Sequence, residues 1–234
     1  MEDDRDGIGS LASRYRDVRR RVEEAASRAG RDPAEITLIA VTKTFPSSAA
    51  REAFALGIAD VGEDRVQELL RKREECADLP LRWHLIGHLQ SNKAAKILPA
   101  VSMVHSVDSI PLAERLSELS AADRPLDILL QVNTSGEESK FGVAPGEARR
   151  TAEAIASLPS LRLRGLMTLG PLTDDQGAIR SSFATLRRIR DEEVRPRVPL
   201  ASFLSMGMSG DFEIAIEEGA THIRLGTILF GQRG

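Results

Sequence analysis

The chain has 234 residues, 41% hydrophobic and 29% charged, and its 32 basic against 35 acidic residues leave a net charge of −3. That balance, with no long run of one sign, gives no support to nucleic-acid binding or to an anionic membrane surface. The one cysteine, Cys76, excludes an internal disulfide, no apolar run is long enough to span a bilayer, and the acidic start MEDDRDGIGS is unlike a secretory signal, so a soluble, cytoplasmic protein is expected.

Taken in chain order, the first element is a helix over 8–29. Ile8, Leu11, Tyr15, Val18, Val22 and Ala25 or Ala26 recur every three or four residues and stop near Gly30. Short β-branched runs then alternate with helical segments. Strands are predicted at 36–43, 58–63, 82–88, 102–107, 126–133, 161–169, 200–206 and 222–230. The helical segments between them include SSAAREAFALG, VQELLRKREECA, IPLAERLSELS, APGEARRTAEAIASL, AIRSSFATLRRIRDEEV and DFEIAIEEG.

Eight strands alternating with helices imply a parallel sheet with right-handed crossovers, and eight is the number that closes a (β/α)8 barrel of the TIM type. An open doubly wound sheet is the alternative; eight near-equal units favour the barrel. The eighth predicted strand runs almost to Gly234, so no helix is expected after it, and the N-terminal helix is the expected cover for that gap. No linker or composition shift divides the chain. One domain over 1–234 is expected, with the helix in 1–30 and the barrel in 36–231.

In such a barrel the chemistry sits at the carboxyl ends of the strands. Those ends carry Lys43; Glu63 and Asp64; His84, followed by Gln90 and Asn92; Ser106 and Asp108; VNTSGEESKFG; Met167 and Thr168; SMGMSG; and Arg224, Gly226 and Thr227. Lys43 is either a solvated strand-end lysine or an amine that loses its proton to an apolar surround and attacks an aldehyde. In SMGMSG, Gly207 and Gly210 permit close backbone approach, and Ser209 offers a hydroxyl and an N-cap for the helix in DFEIAIEEG, whose start attracts anions. Gly226-Thr227 is a second such element on the neighbouring strand, which is where barrel phosphate sites commonly lie.

Arg224 shares a strand face with His222 and Gly226. A buried arginine needs a partner: an ion pair with Glu63, Asp64 or Asp108, or a ring nitrogen of a bound cofactor. A permanently charged arginine would keep a pyridine nitrogen unprotonated and weaken the ring as an electron sink. The four histidines lack the spacing of a metal cluster, so no metal is expected, and Cys76, without a base nearby, is expected to be inert.

With these residues in place, the sequence resembles the pyridoxal phosphate homeostasis protein family (proline synthase co-transcribed homologues), whose fold is like the N-terminal barrel of alanine racemase. The resemblance covers essentially the whole chain and is carried by AVTKTFP, GEDRVQE, WHLIGHLQSNKAAKI, VNTSGEESKFG, LRGLMTLGP, LSMGMSGDFEIAIEEGATHIRLGT and FGQR. It implies a binder of pyridoxal 5′-phosphate (PLP), held as an internal aldimine on Lys43. Ser209, Gly226 and Thr227, with the Met208-Ser209 backbone, would hold the phosphate, and Arg224 would face the pyridine nitrogen. Asp64, His84, Asn133, Met167 and Ser205 complete the expected cofactor-binding set.

The family usually carries asparagine where this chain has Asp64, so a donor becomes an acceptor-only carboxylate free to pair with Arg224 or Lys43. The resemblance further implies a carrier or buffer of PLP, with apo PLP enzymes as partners, rather than a catalyst. An alanine racemase also needs a tyrosine base from a second domain, and the one tyrosine here, Tyr15, lies on the N-terminal helix. A PLP-dependent racemase or lyase is the alternative, a Schiff-base aldolase a third reading, and a monomer is expected. Lys93 and Lys140 are further amines near the mouth.

Overall fold

In the computed structural model, which describes residues 10–137 and 139–232, all eight expected strands form in the expected order. They are β1 Thr37–Val41, β2 Asp60–Glu63, β3 Arg82–Leu85, β4 Met103–Val107, β5 Leu126–Gln131, β6 Leu161–Met167, β7 Phe203–Ser205 and β8 His222–Leu225. Each pairs in parallel with the next, and β1 pairs with β8, Thr37 opposite His222 and Ala40 opposite Leu225, so the sheet closes into a barrel. Side chains on one face of every strand pack outward against the helices, and those on the other fill the interior.

The surrounding helices are α1 Leu11–Arg28, α2 Ser47–Ala55, α3 Val66–Glu75, α4 Ala94–Ile97, α5 Ile110–Leu119, α6 Ala148–Ala156, α7 Gln176–Arg188, α8 Phe212–Glu217 and α9 Thr227–Phe230. The helix predicted from residue 8 starts at Leu11 behind an N-cap at Ser10, whose side chain accepts from the Ser13 N–H; Ile8 lies outside the described residues. Val18, Val22, Ala25 and Ala26 form the buried stripe of α1.

Two expectations are corrected. The eighth strand ends at Leu225 rather than running to 230, and a helix does follow it. Gly226 (φ −115°, ψ −83°) breaks the extended run, and the Gly226 carbonyl accepts from the N–H groups of Leu229 and Phe230, both at 2.9 Å. An apolar stretch of this length fits strand and helix equally well by pattern. As expected, α1 does cover this end of the barrel: Arg14 Nε donates to Leu229 O at 2.5 Å, and Arg21 pairs with Glu213 of α8 at 2.7 Å. The helix expected to continue to Val194 changes at Ile189 to the wider π turn over Ile189–Val194.

The barrel interior is part apolar and part polar. Met103, Leu129 and Met167 form a small apolar cluster, beside which lie Asp60, His84, His105 and His222. Burial pushes the Asp60 carboxyl up, but hydrogen bonds from His84 and Arg82 outweigh it and hold the group at about 2. The unfolded chain titrates near the ordinary value of 3.8, so this stabilisation is complete above that pH and is lost as pH falls through about 2. A depression of that size corresponds to about 2 kcal/mol. Urea unfolding between pH 5 and pH 2.5 is expected to lose the larger part of that increment in the native protein and to show a shallower fall in Asp60→Asn.

Candidate functional site

A cavity of about 780 Å³ opens at the carboxyl end of the barrel. That is the size of a small-molecule or cofactor pocket. Among the residues anticipated for the site, Lys43, Asp64, Met208, Ser209, Arg224, Gly226 and Thr227 all line it. They come from the segments after β1, β2, β7 and β8, with Arg224 reaching in from β8 itself.

Lys43 lies two residues beyond β1, in a turn whose next residue, Thr44, has φ 69°. A positive φ is a genuine outlier for a β-branched residue. The turn is held by the Thr44 N–H donating to Glu68 Oε1 at 2.8 Å and the Phe45 N–H donating to Thr42 O at 3.0 Å. The Lys43 side chain is 32% exposed, with its Nζ 3.7 Å from Asp64 Oδ2. It therefore meets a carboxylate, not the dry apolar surround expected of a desolvated amine, and Asp64 pairs with Lys43 rather than with Arg224. Gly87 packs so closely on Asp64 that a Cβ there would collide with it.

Beneath this turn is a buried cluster that the sequence reading did not anticipate. The fully buried Lys72 ammonium donates to Thr42 O at 2.6 Å and to Glu63 Oε1 at 2.8 Å, and lies 2.8 Å from Glu68 Oε1. Thr42 Oγ1 donates to Glu63 Oε1 at 2.5 Å. Glu63, at the end of β2, thus supports the turn and does not face the cavity.

The loop after β7 turns at Gly207 (φ 95°), where a Cβ would stand 2.6 Å from the Ala215 Cβ and 3.0 Å from the Phe212 Cα. Gly207→Ala is expected to cost about 2 kcal/mol, combining an αL penalty with a clash inside the loop; thermal melting of the purified variant checks it. Ser209 is not the N-cap it was expected to be. The cap position of α8 is Asp211, and Ser209 Oγ instead accepts from the Ile228 N–H at 3.3 Å, tying this loop to the start of α9. Asp211 Oδ1 accepts from the Met208 N–H at 2.5 Å, so that backbone group is already used, and Met208 contributes an exposed side chain to the rim. The N–H groups of Ser209, Gly210 and Thr227 have no acceptor in the protein among the described residues, and all three residues line the cavity. With the two hydroxyls they form a donor set suited to a phosphate.

Arg224 is buried, with Nη1 donating to Ser205 Oγ at 2.6 Å and Nη2 to Thr168 O at 2.9 Å. Neither Glu63, Asp64 nor Asp108 pairs with it; Asp108 faces His88 at 3.3 Å. Burial lowers the guanidinium to about 10, with Asp211 opposing, so the charge is kept at neutral pH.

Four anticipated residues do not reach the cavity. His84 lies inside the barrel between Asp60 and His105, Met167 belongs to the interior apolar cluster, and Ser205 stands behind Arg224. Asn133 shapes the loop after β5, donating to the carbonyls of Glu137 and Lys140 at 2.8 and 3.2 Å. That loop does reach the mouth through Lys140 and Phe141. Lys140 Nζ bridges Glu137 Oε1 (2.6 Å) and Gly170 O (2.7 Å), and Phe141 stacks on His88 with ring centroids 3.9 Å apart. His88 is a lining residue considered at the sequence level only as a metal ligand; among the described residues no group of metal-ligating side chains forms. Cys76 is buried, and burial raises its thiol. No helix among the described residues is long and apolar enough to cross a membrane.

Residues 14–234 match the family model for the N-terminal domain of alanine racemase. A pyridoxal phosphate homeostasis protein of Pseudomonas aeruginosa is 49% identical over 97% of this chain and 97% of its own length. The structure of PipY from Synechococcus elongatus with PLP bound superposes with a TM-score of 0.80 at 38% identity, covering 95% of this chain and all of the other. Alanine racemase from Corynebacterium glutamicum shares the fold at 15% identity and a TM-score of 0.73, over 95% of this chain and 61% of the racemase. A shared barrel, a full-length match and near-half identity together place the chain in the pyridoxal phosphate homeostasis protein family, built on the alanine racemase N-terminal-domain fold.

Proposed function

We propose that this chain binds PLP in the cavity, with the Lys43 amine joined to the cofactor's aldehyde as an imine and one water released. In this reading it holds and hands on cofactor within the vitamin B6 pool rather than turning over a substrate. The observation that carries it is the donor set on one wall: a primary amine, an anion-binding pair of loops and a buried guanidinium, all lining a cavity of about 780 Å³. The names of its relatives and the PLP in PipY point the same way. Ser209 and Thr227 with the free N–H groups hold the phosphate, and Arg224 meets the ring nitrogen. A permanent donor there withholds the ring's proton, which suits storage better than carbanion chemistry.

One arrangement favours a second reading, a PLP-dependent racemase or lyase. His88, a potential proton-transfer group, lines the same cavity with its Nδ1 3.3 Å from Asp108 Oδ2. The two readings separate in solution. PLP-loaded protein, mixed with an apo PLP enzyme in the presence of a trap for free PLP, is expected to restore that enzyme's activity while showing no sustained turnover of amino acids. Steady turnover abolished by Lys43→Ala would overturn the carrier reading, and a protein that stays colourless in added PLP would overturn both. The protein is expected to act as a monomer, with apo PLP enzymes as its receivers.

A further inference from the structure

A polar array beneath the cavity runs through the barrel interior and ends on Arg224. Arg224 Nη1 donates to Ser205 Oγ at 2.6 Å, and Ser205 Oγ lies 2.9 Å from His105 Nδ1. His105 Nε2 is 3.0 Å from His84 Nδ1, and His84 Nε2 is 3.0 Å from Asp60 Oδ1. All five side chains are buried. Beyond Asp60 the array is closed by Arg82, whose Nε and Nη2 donate to the two carboxylate oxygens at 2.7 and 2.5 Å. Asp60 opens β2 at the amino end of the barrel, so the array links that end to the cavity at the other.

With both imidazoles neutral, the chemistry of the two ends sets the direction of every bond between them. A guanidinium only donates, so Ser205 Oγ accepts from Arg224 and turns its own O–H toward His105 Nδ1. That nitrogen accepts only if His105 is neutral with its proton on Nε2, which then donates to His84 Nδ1. His84 in turn carries its proton on Nε2 and donates to Asp60, and a carboxylate only accepts. With both rings neutral, this proton arrangement alone satisfies the whole series; a doubly protonated His84 would donate from both nitrogens and reverse the two bonds of His105. Burial, with His84, His222 and Arg224 nearby, also lowers the affinity of His105 for a second proton.

Among the described residues no carboxylate lies within ion-pair distance of Arg224. The aligned bonds answer that charge in another way: each link presents a lone pair toward the guanidinium and a hydrogen toward Asp60, and bonds in series polarise one another. We propose that Asp60 is a positioning residue for the cavity: it anchors a one-way hydrogen-bond series through His84, His105 and Ser205 that fixes the Arg224 guanidinium against the ring of the bound cofactor. The part concerning the cofactor rests on the PLP reading above; the series itself does not.

The test therefore has two arms. Nitrogen NMR of the cofactor-free protein labelled at histidine is expected to show His84 and His105 both protonated at Nε2 and bare at Nδ1 at neutral pH. A proton on Nδ1 of either ring would overturn the series. In the second arm, Asp60→Asn and Ser205→Ala are each expected to weaken PLP binding about tenfold, the size of one charge-assisted hydrogen bond, and to move the absorption band of the lysine-bound cofactor. A purely structural role would leave that band in place. Native affinity and an unmoved band in folded Asp60→Asn would overturn the proposal, and Ser205→Ala decides it in the same way should Asp60→Asn fail to fold. If the native protein takes up no PLP, the functional reading and the cofactor half of this proposal fall together, while the NMR result still judges the series.

Discussion

Lys43→Ala is expected to leave the protein folded and to abolish its covalent hold on PLP. The structural cost is small. Lys43 is a third exposed, and its ion pair to a half-exposed Asp64 at 3.7 Å is of the kind worth about 0–1 kcal/mol. The binding cost is large, because the amine lines the cavity together with the phosphate-type donors and can form a bond to an aldehyde. Loss of that bond is expected to weaken PLP binding on the order of a hundredfold or more, leaving only the phosphate and ring contacts. Borohydride reduction of the native protein with PLP should add the cofactor's mass to the peptide containing Lys43, and the variant should remain colourless. A variant that stays yellow and is reduced at Lys140, which also lines the cavity, would move the attachment point to the other wall.

Lys43 could be singled out in advance because strand count and strand ends are properties of pattern. Eight apolar runs alternating with amphipathic segments favour the barrel over an open sheet, and the barrel specifies which end of each strand carries chemistry. The glycines at 207 and 226 likewise mark backbone that must turn or approach closely. Depth within the barrel is a different matter. Alternation shows that His84 points opposite to Trp83 and Leu85, but its level depends on how neighbouring strands are staggered. His84 pairs with Gly62 and Met103, which sets it among interior side chains below the cavity. Ser205 and Met167 are cross-strand partners and meet the same fate, one behind Arg224 and the other in the apolar cluster. Ser209 was misassigned for a local reason: a serine three residues before a helix resembles a cap, yet Asp211 stood closer to the helix and took the cap position.

Lys72 was legible and overlooked. Val66, Leu69 and Lys72 fall at three-residue spacing along α3 and all three are buried, so the lysine occupies a position on the core stripe of its helix. Its charge made a solvated face the natural reading, and only tertiary structure shows two carboxylates and a carbonyl waiting for it.

That placement carries the second large effect: Lys72→Met is expected to destabilise the protein by about 3–5 kcal/mol, the range for removing one partner of a buried ion pair. The methionine fills most of the space, so the loss is electrostatic. Glu63 is fully buried, burial raises its carboxyl, and the hydrogen bonds from Lys72 and Thr42 oppose that rise. Its Oε2 has no hydrogen-bond partner among the described residues, so little remains to hold the charge once the ammonium is gone. The folded-state pKa of Glu63 in the variant then stands further above the unfolded value, so the variant is least impaired below about pH 4.5 and loses stability as pH rises beyond it. Urea denaturation at pH 5 and pH 8 should show the larger deficit at pH 8, and adding Glu63→Gln should recover much of it by removing the stranded charge. A deficit equal at both pH values, or unchanged by Glu63→Gln, would mean that lost packing rather than an unpaired carboxylate is responsible. The cluster also bears on the site: Glu68 Oε1 both faces Lys72 and accepts from the strained Thr44 N–H, so the variant should loosen the turn that aims Lys43 and slow its reaction with PLP.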